Sequence, residues 1–370
     1  MNPRLPSPRI LLGPGPSSVS PAVLQSAATA PIGYLDPELF ELLESVRNDL
    51  RLLFGTSNAF TIPLTGTGMA GMECCLANLI EPGDRVVIGV NGFFGGRMVE
   101  IARRLGAEVT QVDAEWGTPL EAGMFLPALK SSSPVKVVAC VHAETSTGVE
   151  TSIAPIAELA HSNGALFLAD AVTSLGGMPV ECDKWSVDAC YSATQKCVGA
   201  PPGLSPITIS DRAMAAMEGR SKGASHWYYD WKLLRGYYDA PHAYHHTVPI
   251  NLYYTLAAAL NEIKTEGLEE RFRRYREVSA QLLNGLEEIG VLPFAAEKCR
   301  LPSLNTVVIP DSVTDEAGLR SALLREYGIE IGGGLGALKG KIWRIGTMGA
   351  AATPRNIVLL LAALRLLLKR

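Results

Sequence analysis

Apolar and polar positions along the chain follow two rhythms, a helical one and a strand one, and the two alternate. Leu39, Leu42, Leu43, Val46, Leu50 and Leu53 recur at helical spacing between Pro37 and Phe54, with Asp36 placed to cap the first amides. Ala59 to Leu64 then predicts a strand, followed by a helix running through Ile80. The alternation continues with strand 86–90, helix 95–105, strand 107–112, helix 119–130, strand 136–141 and helix 153–163. Strands 165–169, 187–191 and 206–209 come next. Strands separated by helices imply a largely parallel sheet, with its functional residues outside the strand C-termini. From Val248 to Ile289 the pattern is long and helical, broken at Thr265-Glu266-Gly267, where a domain boundary is placed. Helices 268–289, 314–326 and 354–368 then alternate with strands near 304–309, 328–331 and 341–345, a small α+β domain. The expected organisation is an N-terminal arm over 1–20, a large domain over 21–267 and a small domain over 268–370. Leu11 to Pro16, rich in Pro and Gly, suits an extended arm or an ordered loop rather than a helix or central strand.

Composition narrows the class. With 370 residues, 47% hydrophobic and 19% charged, the chain can bury a large core, and its balance is that of a globular protein. A net charge of -4 and no basic run give no reason to expect a nucleic acid partner. The longest apolar run, Ile357 to Leu368, is interrupted by Arg365 and too short for a bilayer, so no membrane partner is expected. No charged segment followed by an apolar one opens the chain, so no secretory signal is expected. The seven cysteines, Cys74, Cys75, Cys140, Cys182, Cys190, Cys197 and Cys299, show no metal-binding spacing. Free thiols in a reducing cytoplasm are the expectation. Cys197 beside Lys196 suits a small packing residue better than a reactive thiol.

Candidate chemistry falls where the strands end. Phe167 to Asp170 delivers a carboxylate at a strand C-terminus, and Lys196 follows the next strand just before a Pro/Gly loop. A lysine and an aspartate so placed suit pyridoxal phosphate: the amine makes a Schiff base, and the carboxylate keeps the ring nitrogen protonated. An aspartate capping the next helix is the plainer alternative. Gly66-Thr67-Gly68-Met69-Ala70-Gly71 opens a helix with small residues, as a phosphate cradle does. It also fits the dinucleotide pattern, which asks for an acid about 20 residues on. The next strand ends instead in Asn91-Gly92-Phe93-Phe94. Phe94 is placed to stack on a flat ring, and His142 to Gly148 either offers hydroxyls or makes turns. The stretch 223–247 gathers Trp227, Tyr228, Tyr244, His245 and His246, better suited to an interface or site rim than to a metal. Gly332 to Gly336 is flexible enough to move over a site. Arg344, alone in an apolar strand, needs an anion, either a substrate carboxylate or a structural acid.

Leu12-Gly13-Pro14-Gly15-Pro16, Asp170 with Ser174-Leu175-Gly176-Gly177, Gln195-Lys196 with Ala200-Pro201-Pro202-Gly203, Tyr244-His245-His246-Thr247, Gly332 to Gly336 and Trp343-Arg344-Ile345-Gly346 together resemble one family. It is the class V, fold type I pyridoxal-phosphate aminotransferases, especially the alanine–glyoxylate and serine–pyruvate enzymes. The resemblance spans nearly the whole chain and implies an α/β fold with a mostly parallel mixed sheet and a smaller C-terminal α+β domain. It implies Lys196 as the Schiff-base lysine, Asp170 at the pyridine nitrogen, Phe94 on the ring and Val172 beneath it. Thr145 would bond the ring hydroxyl, and Thr67, Gly68, Met69 and Gln195 would form the phosphate site. Tyr244 and Thr247 would reach over from the partner subunit of a homodimer, with Arg344, Gly15 and Tyr34 contacting substrate. Two positions depart from the pattern: Phe94 stands where animal enzymes commonly have Trp, and Met69 replaces a His.

The resemblance implies transfer of an amino group from alanine or serine to a 2-oxo acid, glyoxylate or pyruvate. Ureidoglycine–glyoxylate transamination is the alternative, since Glu115-Trp116-Gly117 and Lys341 to Arg344 are similar to that subfamily. Its members carry amides where Tyr34 and Tyr244 stand, which favours the alanine/serine type. A cysteine desulfurase would place His before the lysine, where this chain has Gln195. A nicotinamide dehydrogenase would use Gly66 to Gly71 but leave Asp170 and Lys196 idle.

Overall fold

Seven strands form the central sheet: β1 (Phe60–Thr65), β2 (Arg85–Val90), β3 (Glu108–Asp113), β4 (Val137–Val141), β5 (Leu166–Asp170), β6 (Ala189–Tyr191) and β7 (Leu204–Ile209). They lie in the order β1-β7-β6-β5-β4-β2-β3. Every pairing from β3 across to β6 is parallel, and β7 runs antiparallel to both β6 and β1. The computed structural model describes residues 7–130 and 133–369.

The burial of each strand follows its sequence. β4, β5 and β7 are buried along their whole length, as helices covering both faces require. The edge strand β3, Glu-Val-Thr-Gln-Val-Asp, stays mostly exposed. The helix expected from Pro37 runs to Phe54, and the Asp36 side chain accepts from the Glu38 amide at 2.9 Å. Gly267, with φ 83°, separates helix Ile250–Glu266 from Leu268–Glu287 where the period breaks.

Two boundaries move for visible reasons. The helix expected over 119–130 begins only at Ala122, because Leu120 is buried and its amide donates to Thr151. The helix expected over 95–105 starts earlier, at Phe93, because a distant carboxylate caps its first turn.

Past Gly267 a second core forms around Leu12, Val278, Leu282, Trp343, Ile345 and Leu364. Here β8 (Leu304–Val308), β9 (Gly332–Gly333) and β10 (Ile342–Gly346) make an antiparallel sheet ordered β8-β10-β9. The arm adds Ile10–Leu11, which pairs in parallel with Ile329–Glu330 and lays Leu12 into this core. Of the glycine run, expected as flexible enough to move over a site, Gly332 and Gly333 form β9 and Gly336 opens a short 3-10 turn. A Cβ on Gly332 would sit 2.5 Å from Pro14 Cδ, and one on Gly334 would sit 2.0 Å from the Leu338 carbonyl. At both positions the backbone passes closer to its neighbour than a larger side chain would allow. Among the described residues no helix is long and apolar enough to cross a membrane.

Candidate active site

The C-terminal ends of β1, β2, β4, β5 and β6 surround a cavity of about 160 Å³. Thr67, Gly68, Met69, Phe94, Thr145, Asp170, Val172, Gln195 and Lys196 line it, together with Met72, Val141 and Ala143. Residues from five separate chain segments thus converge on one space, at the strand ends where a parallel sheet places its ligands.

Asp170 ends β5 and is buried. The Val172 amide donates to its Oδ1 at 2.8 Å, and the Tyr191 hydroxyl donates to its Oδ2 at 2.7 Å. The capping alternative therefore holds for one oxygen, while the other is held from the neighbouring strand. Burial pushes the Asp170 carboxyl up to about 7, against both of those donors. Lys196 follows β6 in a wide helical turn, Thr194–Val198, and its own dihedrals lie outside the helix. Its Nζ donates to the Pro14 carbonyl, while Ser17 bonds the Gln195 and Lys196 carbonyls at 2.8 Å each. A Cβ on Gly15 would come within 2.6 Å of Nζ, so the arm can pass the lysine only as glycine. Burial first, and then the nearby Arg344 guanidinium, push the Lys196 ammonium down to about 8. Acid and amine are shifted toward one another across neutral pH, a feature of sites that move protons.

The cradle at Gly66 to Gly71 divides its work among its members. Thr67 precedes helix Gly68–Leu79 with its hydroxyl unused as a cap, leaving the helix N-terminus open to an anion. Gly71 serves packing, since a Cβ there would lie 2.1 Å from Ser205 Oγ on β7. The Gln195 side-chain oxygen is buried without a partner. A buried polar atom left in this way points to a group that completes it. Thr145 Oγ1 lies 2.6 Å from Thr173 Oγ1, Phe94 is half-buried, and a Cβ on Gly68 would press on Val172 at 3.0 Å.

Arg344 is buried in β10, and its Nε donates to the Gly333 carbonyl at 2.7 Å. Among the described residues no carboxylate comes within ion-pair distance of it, which removes the structural acid as its partner. Burial pushes the guanidinium down to about 10. A buried cation of this kind recruits an external anion. Tyr34, Tyr244 and Thr247 do not line the cavity. All three are exposed, with the Tyr34 and Tyr244 rings 5.1 Å apart.

Two residues that the sequence reading passed over hold the site. Tyr191 is a buried strand aromatic by pattern, and only the pairing of β5 with β6 aims its hydroxyl at Asp170. Glu144 lies in a stretch read as hydroxyl or turn chemistry, yet it is fully buried with both oxygens bonded. His142 is also buried; its Nδ1 lies 3.0 Å from Ser174 Oγ, and burial pushes the ring down to about 4, so it stays neutral. The cysteines are free and buried, and burial pushes the Cys197 thiol up to about 11, away from reactivity. Among the described residues no group of three His, Cys, Asp or Glu side chains could hold a metal.

Residues 25–346 match the family model Aminotransferase class-V. The chain is 37% identical to the (S)-ureidoglycine–glyoxylate transaminase of Bacillus subtilis (strain 168), over 98% of this chain and 91% of that one. It is 36% identical to the alanine–glyoxylate aminotransferase of Oryctolagus cuniculus, over 96% of this chain and 92% of the other. Superposed on the crystal structure of an alanine–glyoxylate aminotransferase from Nostoc sp., it gives a TM-score of 0.97 at 42% identity, covering 100% of this chain and 97% of that one.

Proposed function

The chain belongs to the class-V aminotransferases, and from that membership we propose that it moves the amino group of alanine or serine to glyoxylate or pyruvate. The cofactor proposed is pyridoxal 5'-phosphate, held at Lys196. The observation that carries the reading is that Lys196 and Asp170 face one cavity, beside a buried arginine with no acidic partner.

When bound, pyridoxal phosphate supplies an aldehyde for covalent attachment to an amine and a ring that draws electrons from the substrate α-carbon. The residues fit that group: all line one cavity, where Asp170 would meet the ring nitrogen, Phe94 and Val172 would flank the ring, and Thr145 would meet its hydroxyl. Thr67, Gly68 and the Gln195 amide group would take the phosphate, with Met69 completing that loop, and the buried Gln195 side chain has a polar atom that no protein group satisfies. Tyr191 keeps the Asp170 carboxylate aimed, so that its negative charge would hold a proton on the ring nitrogen. Arg344 grips the substrate carboxylate with its bidentate fork. Gly15 leaves room for the substrate beside Lys196. With an ammonium pushed down to about 8, Lys196 is readily neutral, and its Nζ takes the substrate α-proton and later returns one. Two half-reactions on one site give ping-pong kinetics.

Tyr244 and Thr247, exposed on their own chain, suit a homodimer in which each subunit completes the other's site. The buried free thiols suit a reducing cytoplasm, and the helix break at Gly267 suits a division into large and small domains. Similarity to the Bacillus subtilis enzyme favours (S)-ureidoglycine as a second donor, whereas the Tyr34–Tyr244 pair favours alanine or serine. The test is a panel of alanine, serine and (S)-ureidoglycine against glyoxylate and pyruvate. We expect the highest kcat/KM for alanine or serine with glyoxylate, and loss of all turnover in Lys196→Ala. Full transaminase rate in that variant contradicts the reading.

A further inference from the structure

The helix Phe93–Arg104 begins at the cavity wall, and Gly92 before it has no side chain with which to cap it. Glu144 does so from another part of the chain. Its Oε2 accepts from the Phe94 amide at 3.1 Å and from the Gly95 amide at 3.3 Å. Its Oε1 accepts from the Ser146 amide at 3.0 Å and from the Ser146 hydroxyl at 2.6 Å. Ser146 Oγ in turn accepts from the Phe93 amide at 2.8 Å. The Glu144 carbonyl also accepts from the Gly148 amide at 2.9 Å, closing the tight hairpin that carries Thr145. Gly92 is extended, and a Cβ on it would lie 2.3 Å from Glu144 Cγ, so the carboxylate occupies the space a side chain would need.

One buried carboxylate therefore ties together two walls of the cavity: the helix start that carries Phe94 and the hairpin that carries Thr145. We propose that Glu144 is a positioning residue for the cofactor, fixing the Phe94 ring plane and the Thr145 hydroxyl through these bonds while touching neither cofactor nor substrate. This rests on the pyridoxal phosphate site proposed above. A carboxylate at a helix N-terminus is doubly suited to the task, since the helix dipole favours its charge and the aligned amides fix its direction. Glutamine has the same shape but presents an NH2 group to one of the two donor pairs, so it holds only half of the arrangement.

The test is a double-mutant cycle on cofactor affinity, titrating cofactor-free protein with pyridoxal phosphate and following absorbance. The proteins are the unaltered chain, Glu144→Gln, Phe94→Leu and the double variant, with apoprotein melting recorded for each. If Glu144 acts through the ring, Glu144→Gln weakens binding roughly tenfold when Phe94 is present and clearly less when Leu stands there. A cap that serves the helix alone lowers apoprotein melting but costs the same factor in binding in both backgrounds. That equality, or undiminished affinity in Glu144→Gln, overturns the proposal. Should Glu144→Gln fail to fold, Ser146→Ala takes its place in the same cycle, with a smaller coupling of the same sign expected and strict additivity contradicting it. If the unaltered chain itself binds no pyridoxal phosphate, the cofactor site falls and this inference falls with it, a result distinct from a variant failing while the unaltered chain binds.

Discussion

At the scale of single residues, the site depends on two buried groups shifted in opposite directions. Lys196 lies below its ordinary 10.5, at about 8, so in cofactor-free protein the reactive neutral amine gains population as pH rises through that value. The rate at which cofactor-free protein captures pyridoxal phosphate should therefore climb between about pH 7 and 9 and then level off; a rate falling over that range contradicts the assignment. Stability follows the same linkage. Between about 8 and 10.5 the unfolded chain holds the lysine proton that the folded chain has lost, so the Lys196 contribution to stability increases with pH there. Urea midpoints of Lys196→Met should lack that increase. Asp170 offers a second test at this scale. Tyr191→Phe removes the 2.7 Å donor from Oδ2, which favours the protonated acid. Turnover should drop by roughly tenfold, the size expected for a hydrogen bond to a charged group, while substrate KM changes little.

Among elements, the glycines around the cavity do different jobs, and only some of those jobs were visible in the sequence. Gly66 to Gly71 looked like a phosphate cradle from its spacing alone, but the reason Gly71 must be small lies in Ser205, far along the chain on β7. Gly71→Ala should lower stability by about 1–3 kcal/mol, the usual cost of overpacking, measured from urea unfolding. A variant as stable as the parent would show that the helix shifts freely on the sheet. The strands and helices themselves were legible because each carries its own period: Phe167-Leu168-Ala169 could hardly be anything but a covered strand, and Asp36 marked its helix start in advance. The roles of Glu144 and Tyr191 were not. A lone acid in a run of Ser and Thr looks like turn chemistry, and a Tyr in a strand looks like core, until the sheet order brings each to its partner. The close approaches at Gly332 and Gly334 are hidden for a related reason, because glycine at a close approach and glycine in a loop leave the same trace in a sequence.

For the whole molecule, Tyr244 and Thr247 are the informative positions. Neither lines the cavity of its own chain, and the aromatic stretch around them is exposed at Trp227 and Tyr244. In the proposed homodimer they complete the neighbour's phosphate site. Thr247→Val should then weaken cofactor binding several-fold with no change in the melting of the cofactor-free protein. Dimers mixed from Lys196→Ala and Thr247→Val chains should bind pyridoxal phosphate at one site with the unaltered affinity, and binding only at the weakened affinity of Thr247→Val would remove the shared-site arrangement. All of these rest on one proposed bond, between the cofactor and the amine at position 196. Incubating the protein with pyridoxal phosphate, reducing with borohydride and mapping the modified peptide by mass spectrometry tests it directly. A phosphopyridoxyl group is expected on Lys196 in the parent, and none at any lysine in Lys196→Ala. Stoichiometric labelling at a different lysine, or no labelling of the parent, would contradict it.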